Sequence, residues 1–146
     1  DVLEVRCALD KLATGLATEH IEPGQIKSLE GIHKQYVANV EKGNIEGAIR
    51  KDVEFHDMIY TISGNLRLIS VATSLREHVY RFRVIYLTDT NIAENVLKEH
   101  EEILSAIRNA DNTRAAELAE AHIRNQMESI IKMASEKAPE DLNSNG

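Results

Sequence analysis

Apolar side chains recur every three or four residues along almost the whole of this 146-residue chain. A period near 3.6 puts them on one stripe of a helix, and a stripe is stable only when packed against others. Val2, Val5, Leu9, Leu12, Ala13 and Leu16 form the first stripe. Short polar breaks divide the rest, giving six main helices at about 1–19, 23–42, 45–62, 66–87, 92–109 and 113–136. Pro23 suits a first turn, and Asn44 and Asn65 suit caps. Gly64 suits a left-handed stop, and Asn91 with Glu94 suits a capping box. No strand alternation and no Asn-Gly hairpin occurs. The reading is all-α: an antiparallel, up-and-down bundle of six to seven helices with short connections, over residues 1–136. The tail from residue 137 to 146 is polar and is expected to be disordered.

The length suits one domain with one sizeable core. Hydrophobic residues make up 42 % of the chain and aromatics only 4 %, so that core must be mostly aliphatic. The single cysteine, Cys7, excludes an internal disulfide and reads as a small buried hydrophobe. A net charge of −7 argues against nucleic-acid binding by these residues. No apolar run approaches the ~20 residues of a membrane span, and no signal peptide opens the chain; the expected location is cytoplasmic.

Four polar residues interrupt the stripes. Ala48, Asp52, Phe55, His56 and Ile59 share one face of the third helix, Val96, His100, Ile103 and Ile107 one face of the fifth, and Leu118, His122 and Ile123 one face of the sixth. His100 and His122 each lie eleven residues from Asp111, where the connecting turn centres. In an antiparallel hairpin both imidazoles therefore stand at one level, and mid-helix His56 can join them. A buried carboxylate needs compensation. One carboxylate and three imidazoles meeting inside a bundle make a divalent-metal site; hydrogen bonding among them is the alternative. His33 and His78 are assigned to packing or surface roles, and His20 to a helix cap. A di-iron carboxylate centre needs two E-x-x-H motifs, and only "EGIH" at 30–33 is found.

The segments "LEVRCALDKLATGLA" (3–17), "DVEFHDMIYTISGNLRL" (52–68), "KEHEEILSAIRNAD" (98–111) and "RAAELAEAHI" (114–123) together resemble the FCD domain. This is the C-terminal effector-binding domain of the FadR subgroup of GntR-type transcription regulators. The resemblance runs to about residue 134. It implies a dimerising helical bundle that binds a small effector, an organic acid or sugar acid, and in many members a metal held by one Asp and three His. Those positions fall on Asp52, His56, His100 and His122. Zinc is the first expectation for the ion, with nickel and manganese as alternatives. Asp10 stands where the first motif usually has Glu, a departure expected to change little for the metal. The resemblance also implies operator-DNA binding through an N-terminal winged helix-turn-helix; the chain reads as lacking it, an excised effector domain and homodimer.

Four protein ligands leave positions open for an effector oxygen, and an arginine would hold the effector's other end. Arg6 and Arg83 are the candidates, Arg83 lying nearer the core stripe than Arg81; Asn65 is a further candidate near the pocket. A metal-dependent enzyme is the competing function, but Glu99, Glu101 and Glu102 point largely away from the core by helical angle. No Ser-His-Asp or Cys-His arrangement and no Gly-rich phosphate loop is found. The expectation is not an enzyme. A metal-free structural bundle is the remaining alternative.

Overall fold

The computed structural model describes residues 1–137. Seven helices run in order: α1 (Val2–His20), α2 (Pro23–Glu41), α3 (Ile45–Ser63), α4 (Leu66–Ser74), α5 (Arg76–Leu87), α6 (Thr90–Arg108) and α7 (Asn112–Glu136). No strand occurs among the described residues. The expected tail lies, from residue 138 onward, outside them. Among the described residues no helix is long and apolar enough to cross a membrane.

Most ends follow local chemistry. Pro23 opens α2, and Gln25 reaches back to the Glu22 N–H at 2.9 Å. Asn44 accepts from the Gly47 N–H and Asn65 from the Leu68 N–H, capping α3 and α4. Gly64 ends α3 with φ +67°, the left-handed conformation a C-terminal glycine supplies.

Three expectations are corrected. The fourth helix is not one piece, because it breaks at Leu75, whose N–H turns to the Ala72 carbonyl. Thr73 and Ser74 hydroxyls donate to the Ile69 and Val71 carbonyls there, competition that bends helices. Asp89, not Asn91, caps α6, accepting from the Asn91 and Ile92 N–H groups. His20 does not cap its own helix; its Nδ1 lies 3.1 Å from the Ser63 carbonyl at the end of α3.

Five helices close a ring. α1 packs on α7 and α3, α2 on α3 and α6, and α6 on α7. The α4–α5 segment lies outside the ring, and α5 touches α1, α3, α6 and α7. Two apolar clusters fill the interior. One gathers Ala13, Phe55, Ile59, Ile103, Ile107 and Ala119, and the other Tyr36, Ala48, Ile49, Tyr86, Leu87 and Val96. On α3 Asp52 lies between Ile49 of one cluster and Phe55 of the other, and on α6 His100 lies between Val96 and Ile103, so with His56 they form a polar layer where the two cores meet.

Gly64→Ala is expected to cost about 1 kcal/mol. The added Cβ would meet nothing closer than 3.9 Å, so the loss is backbone strain alone. Urea unfolding should show a lower midpoint with an unchanged slope; an unchanged midpoint contradicts this.

Candidate metal centre

The helical period that buries Phe55 and Ile59 also turns Asp52 and His56 inward. Asp52 has no exposed surface and His56 3 %; His100 has none and His122 1 %. The four offer ligand atoms that all lie within 4.8 Å of one another. The four residues singled out in the sequence thus converge, from α3, α6 and α7.

Hydrogen bonds set how the donors face. His56 Nδ1 is 3.0 Å from Asp10 Oδ1, and His122 Nδ1 is 2.6 Å from Glu99 Oε2. An ionised carboxylate only accepts, so each Nδ1 donates and each Nε2 keeps its lone pair. Those two Nε2 atoms face each other at 3.3 Å. Asp52 Oδ2 accepts from Arg83 Nε at 2.5 Å. Its other oxygen, Oδ1, lies 3.3 Å from His100 Nε2 and 3.6 Å from His56 Nε2. Asp52 Oδ1 and His100 Nε2 are both buried without a hydrogen-bond partner. Such orphans are costly. An orphaned carboxylate oxygen and an orphaned imidazole nitrogen beside two further Nε2 atoms are what a shared cation would satisfy, so the donor set fits a divalent ion.

Charge keeps the donors in ligating form. Burial pushes the Asp52 carboxyl up, but Arg83 and the neighbouring histidines outweigh it and hold it well below the ordinary range. Asp10 is lowered likewise, Arg6 and His56 overcoming burial. Burial is the main cause that lowers His100 to about 3, and it also leads the lowering of His122 and His33. Neutral imidazole is the form that binds metal.

Several residues play parts that the sequence reading missed. Asp10 does bear on the site, through His56, while its Oδ2 accepts from the Tyr60 hydroxyl at 2.7 Å. Glu99 does not point away but turns between α6 and α7 to His122, with Asn125 on its second oxygen. Gln126 is buried, four residues after His122, and bridges the site. Its amide nitrogen lies 2.9 Å from His122 Nε2, and its oxygen accepts from Arg6 at 3.2 Å. The i, i+4 spacing from His122 was the available signal. His33 is buried beside the centre, its ring 5.6 Å from that of His100, but is not one of the four. His78 is exposed.

A cavity of about 680 Å³ opens beside the centre, with Arg6, His56, Tyr60 and Arg83 on its wall. Arg6 and Arg83 are 3 % and 5 % exposed. Asn65 is not on this wall; its side chain caps α4.

The FCD domain family model matches residues 1–125. The uncharacterized HTH-type transcriptional regulator YdhC of Bacillus subtilis is 21 % identical over 131 residues, covering 89 % of this chain and 58 % of YdhC. The chain thus spans little more than half of that relative's length. Among solved structures, E. coli McbR/YncC superposes with a TM-score of 0.81 at 19 % identity, over 90 % of this chain and 67 % of that one. Streptococcus agalactiae GntR gives 0.69 at 26 % identity, over 91 % and 57 %.

Acid is expected to destabilise the metal-stripped protein. The fold keeps His33, His100 and His122 neutral below the ordinary value of 6.5, where an unfolded chain takes up the proton. Stability is then fully present above that value and is lost as pH falls below it, by up to about 1.4 kcal/mol per pH unit per histidine. Asp52 and Asp10 add a further loss below their ordinary 3.8. Thermal melts from pH 7.5 to 4.5 check this; a flat Tm across that range contradicts it.

Proposed function

The chain belongs to the FCD domain family, and from that premise we propose that it is the effector-sensing domain of a GntR-type transcription regulator. Its effector is a small organic acid bound beside a divalent ion that Asp52, His56, His100 and His122 hold. The observation that carries the reading is the orphaned, fully buried Asp52 Oδ1 among three inward imidazole nitrogens, beside an arginine-bearing cavity. Three imidazoles and one carboxylate suit zinc first, with nickel and manganese also compatible with the donor types. When bound, the ion supplies a Lewis-acidic position for an anionic oxygen.

The chain's own residues do the rest. Asp10 and Glu99 fix the orientation of His56 and His122. Arg83 holds Asp52 with one oxygen turned toward the imidazoles. Arg6, on the cavity wall, offers a guanidinium to a carboxylate. A ligand there would touch α1, α3 and α5 at once and favour one packing of the bundle. In a cytoplasmic homodimer that preference would reach operator DNA through an N-terminal winged helix-turn-helix, as a shift of population. The HTH-type regulator among the relatives supports this reading. The enzymatic alternative would need Glu99 free as acid or base, and Glu99 is engaged by His122 and Asn125.

Protein made without a His-tag is expected to carry one divalent ion per chain by elemental analysis, and His100→Ala close to none. Equal metal in both contradicts the site. Asp10→Asn and Glu99→Gln should each weaken metal affinity about 10- to 100-fold. Competition with a chromogenic chelator measures that, and unchanged affinity removes their orienting role. Calorimetry with organic acids should show binding to the metal-loaded form and little to the stripped form. Equal binding to both would remove the ion from effector recognition.

A further inference from the structure

The cavity beside the centre has two chemically different ends. At the inner end stand Arg6, Arg83 and Tyr60. Arg6 is committed only in part: Nε reaches Asp10 at 3.4 Å and one terminal nitrogen reaches Gln126, while the other, Nη2, is buried without a partner. Tyr86, wholly buried, stands beside Arg6 but is not on the cavity wall. A buried guanidinium N–H on the wall thus has no full partner, and an anionic group would supply it.

Counting charge sharpens the class. Arg6 pairs with Asp10 and Arg83 with Asp52, and Glu99 behind His122 leaves one negative charge in the layer. A divalent ion with neutral imidazoles makes that one positive charge. A single carboxylate neutralises it; a second would not be matched.

The remainder of the wall is apolar where it is buried, its charged residues Arg50, Glu54, Arg76, Glu77 and Arg81 being exposed and Asp57 partly so. Val53 comes from α3, Ile69 and Ala72 from α4, Leu75 from the break, and Val79 from α5. Val53, Ile69 and Leu75 are only partly buried and belong to neither core cluster. The two threonines on this wall, Thr61 and Thr73, spend their hydroxyls on the Asp57 and Ile69 carbonyls. Polar groups sit at the mouth, where Arg76 pairs with Asp57 at 3.2 Å. A polyhydroxylated acid placed here would lay hydroxyls against the hydrocarbon of Val53, Ile69, Leu75 and Val79, which offers them no partner.

We propose that the effector is a monocarboxylate with an apolar body, its carboxylate at Arg6 and the metal-bearing end and its hydrocarbon along Val53, Ile69, Leu75 and Val79. A sugar acid or a short di- or tricarboxylate does not match this cavity. The proposal rests on the effector-sensing reading above and narrows its ligand class.

Calorimetry of the zinc-loaded chain with acetate, butyrate, hexanoate and octanoate, and with gluconate and citrate, tests it. Affinity is expected to rise about four-fold per added methylene up to the cavity's length, with gluconate and citrate weaker than hexanoate. Hexanol should bind at least ten-fold more weakly than hexanoate. Ile69→Ser should flatten the chain-length dependence. Val53→Thr, which keeps side-chain shape, should do so in a protein with unchanged circular dichroism. Acetate, gluconate or citrate binding as tightly as hexanoate overturns the apolar body and leaves the carboxylate-sensing reading standing. Hexanol matching hexanoate overturns the carboxylate end. No binding of any carboxylate to zinc-loaded chain overturns both this proposal and the organic-acid reading on which it rests.

Discussion

The structure is organised around a charged layer enclosed between two hydrocarbon cores. Asp10, Asp52, Arg6 and Arg83 are nearly inaccessible to solvent, and each would be expensive to bury alone. They are tolerable because each faces an opposite charge: Arg83 holds Asp52, and Arg6 lies beside Asp10. The histidines extend that network across α3, α6 and α7. Breaking one link strands another buried charge, so the layer fixes helix register as well as ligand geometry.

The three histidines are held by different means. His56 and His122 each have a carboxylate behind the ring, which aligns the nitrogen by a directed hydrogen bond. His100 has none; its Nδ1 is buried and unpartnered. It is held by stacking on Phe55, with ring centroids 4.2 Å apart and planes 18° from parallel. Packing keeps a ring's plane but leaves its tautomer free, whereas a carboxylate fixes both.

Much of this was legible from the chain alone. Periodicity gave the ring helices, and the equal offsets of His100 and His122 from Asp111 predicted a meeting that the structure shows, with rings 5.0 Å apart. Arg83 was picked from its helical angle and is indeed buried on the layer. What escaped depended on inter-helix geometry. Glu99 sits one residue from an inward histidine, so its angle alone suggested solvent; the neighbouring α7 makes that direction an interface. Asp10 stood out only as a departure from the usual Glu; its partner His56 lies 46 residues away, a contact that no local spacing reveals. The break at Leu75 escaped because apolar residues continue through it, and only the hydroxyls of Thr73 and Ser74 interrupt the backbone ladder.

That break has an architectural consequence. Four of the five ring helices run 19 residues and α7 runs 25, whereas α4 and α5 have 9 and 12. The ring supplies the inward imidazoles; the short pair supplies much of the facing wall. Side chains such as Ile69 and Leu75 can therefore be exchanged with little disturbance to the interlocked barrel of longer rods. If the cavity takes the proposed effector, selectivity would be housed in a replaceable shutter, and the frame that carries the imidazoles would be spared when the shutter is recut.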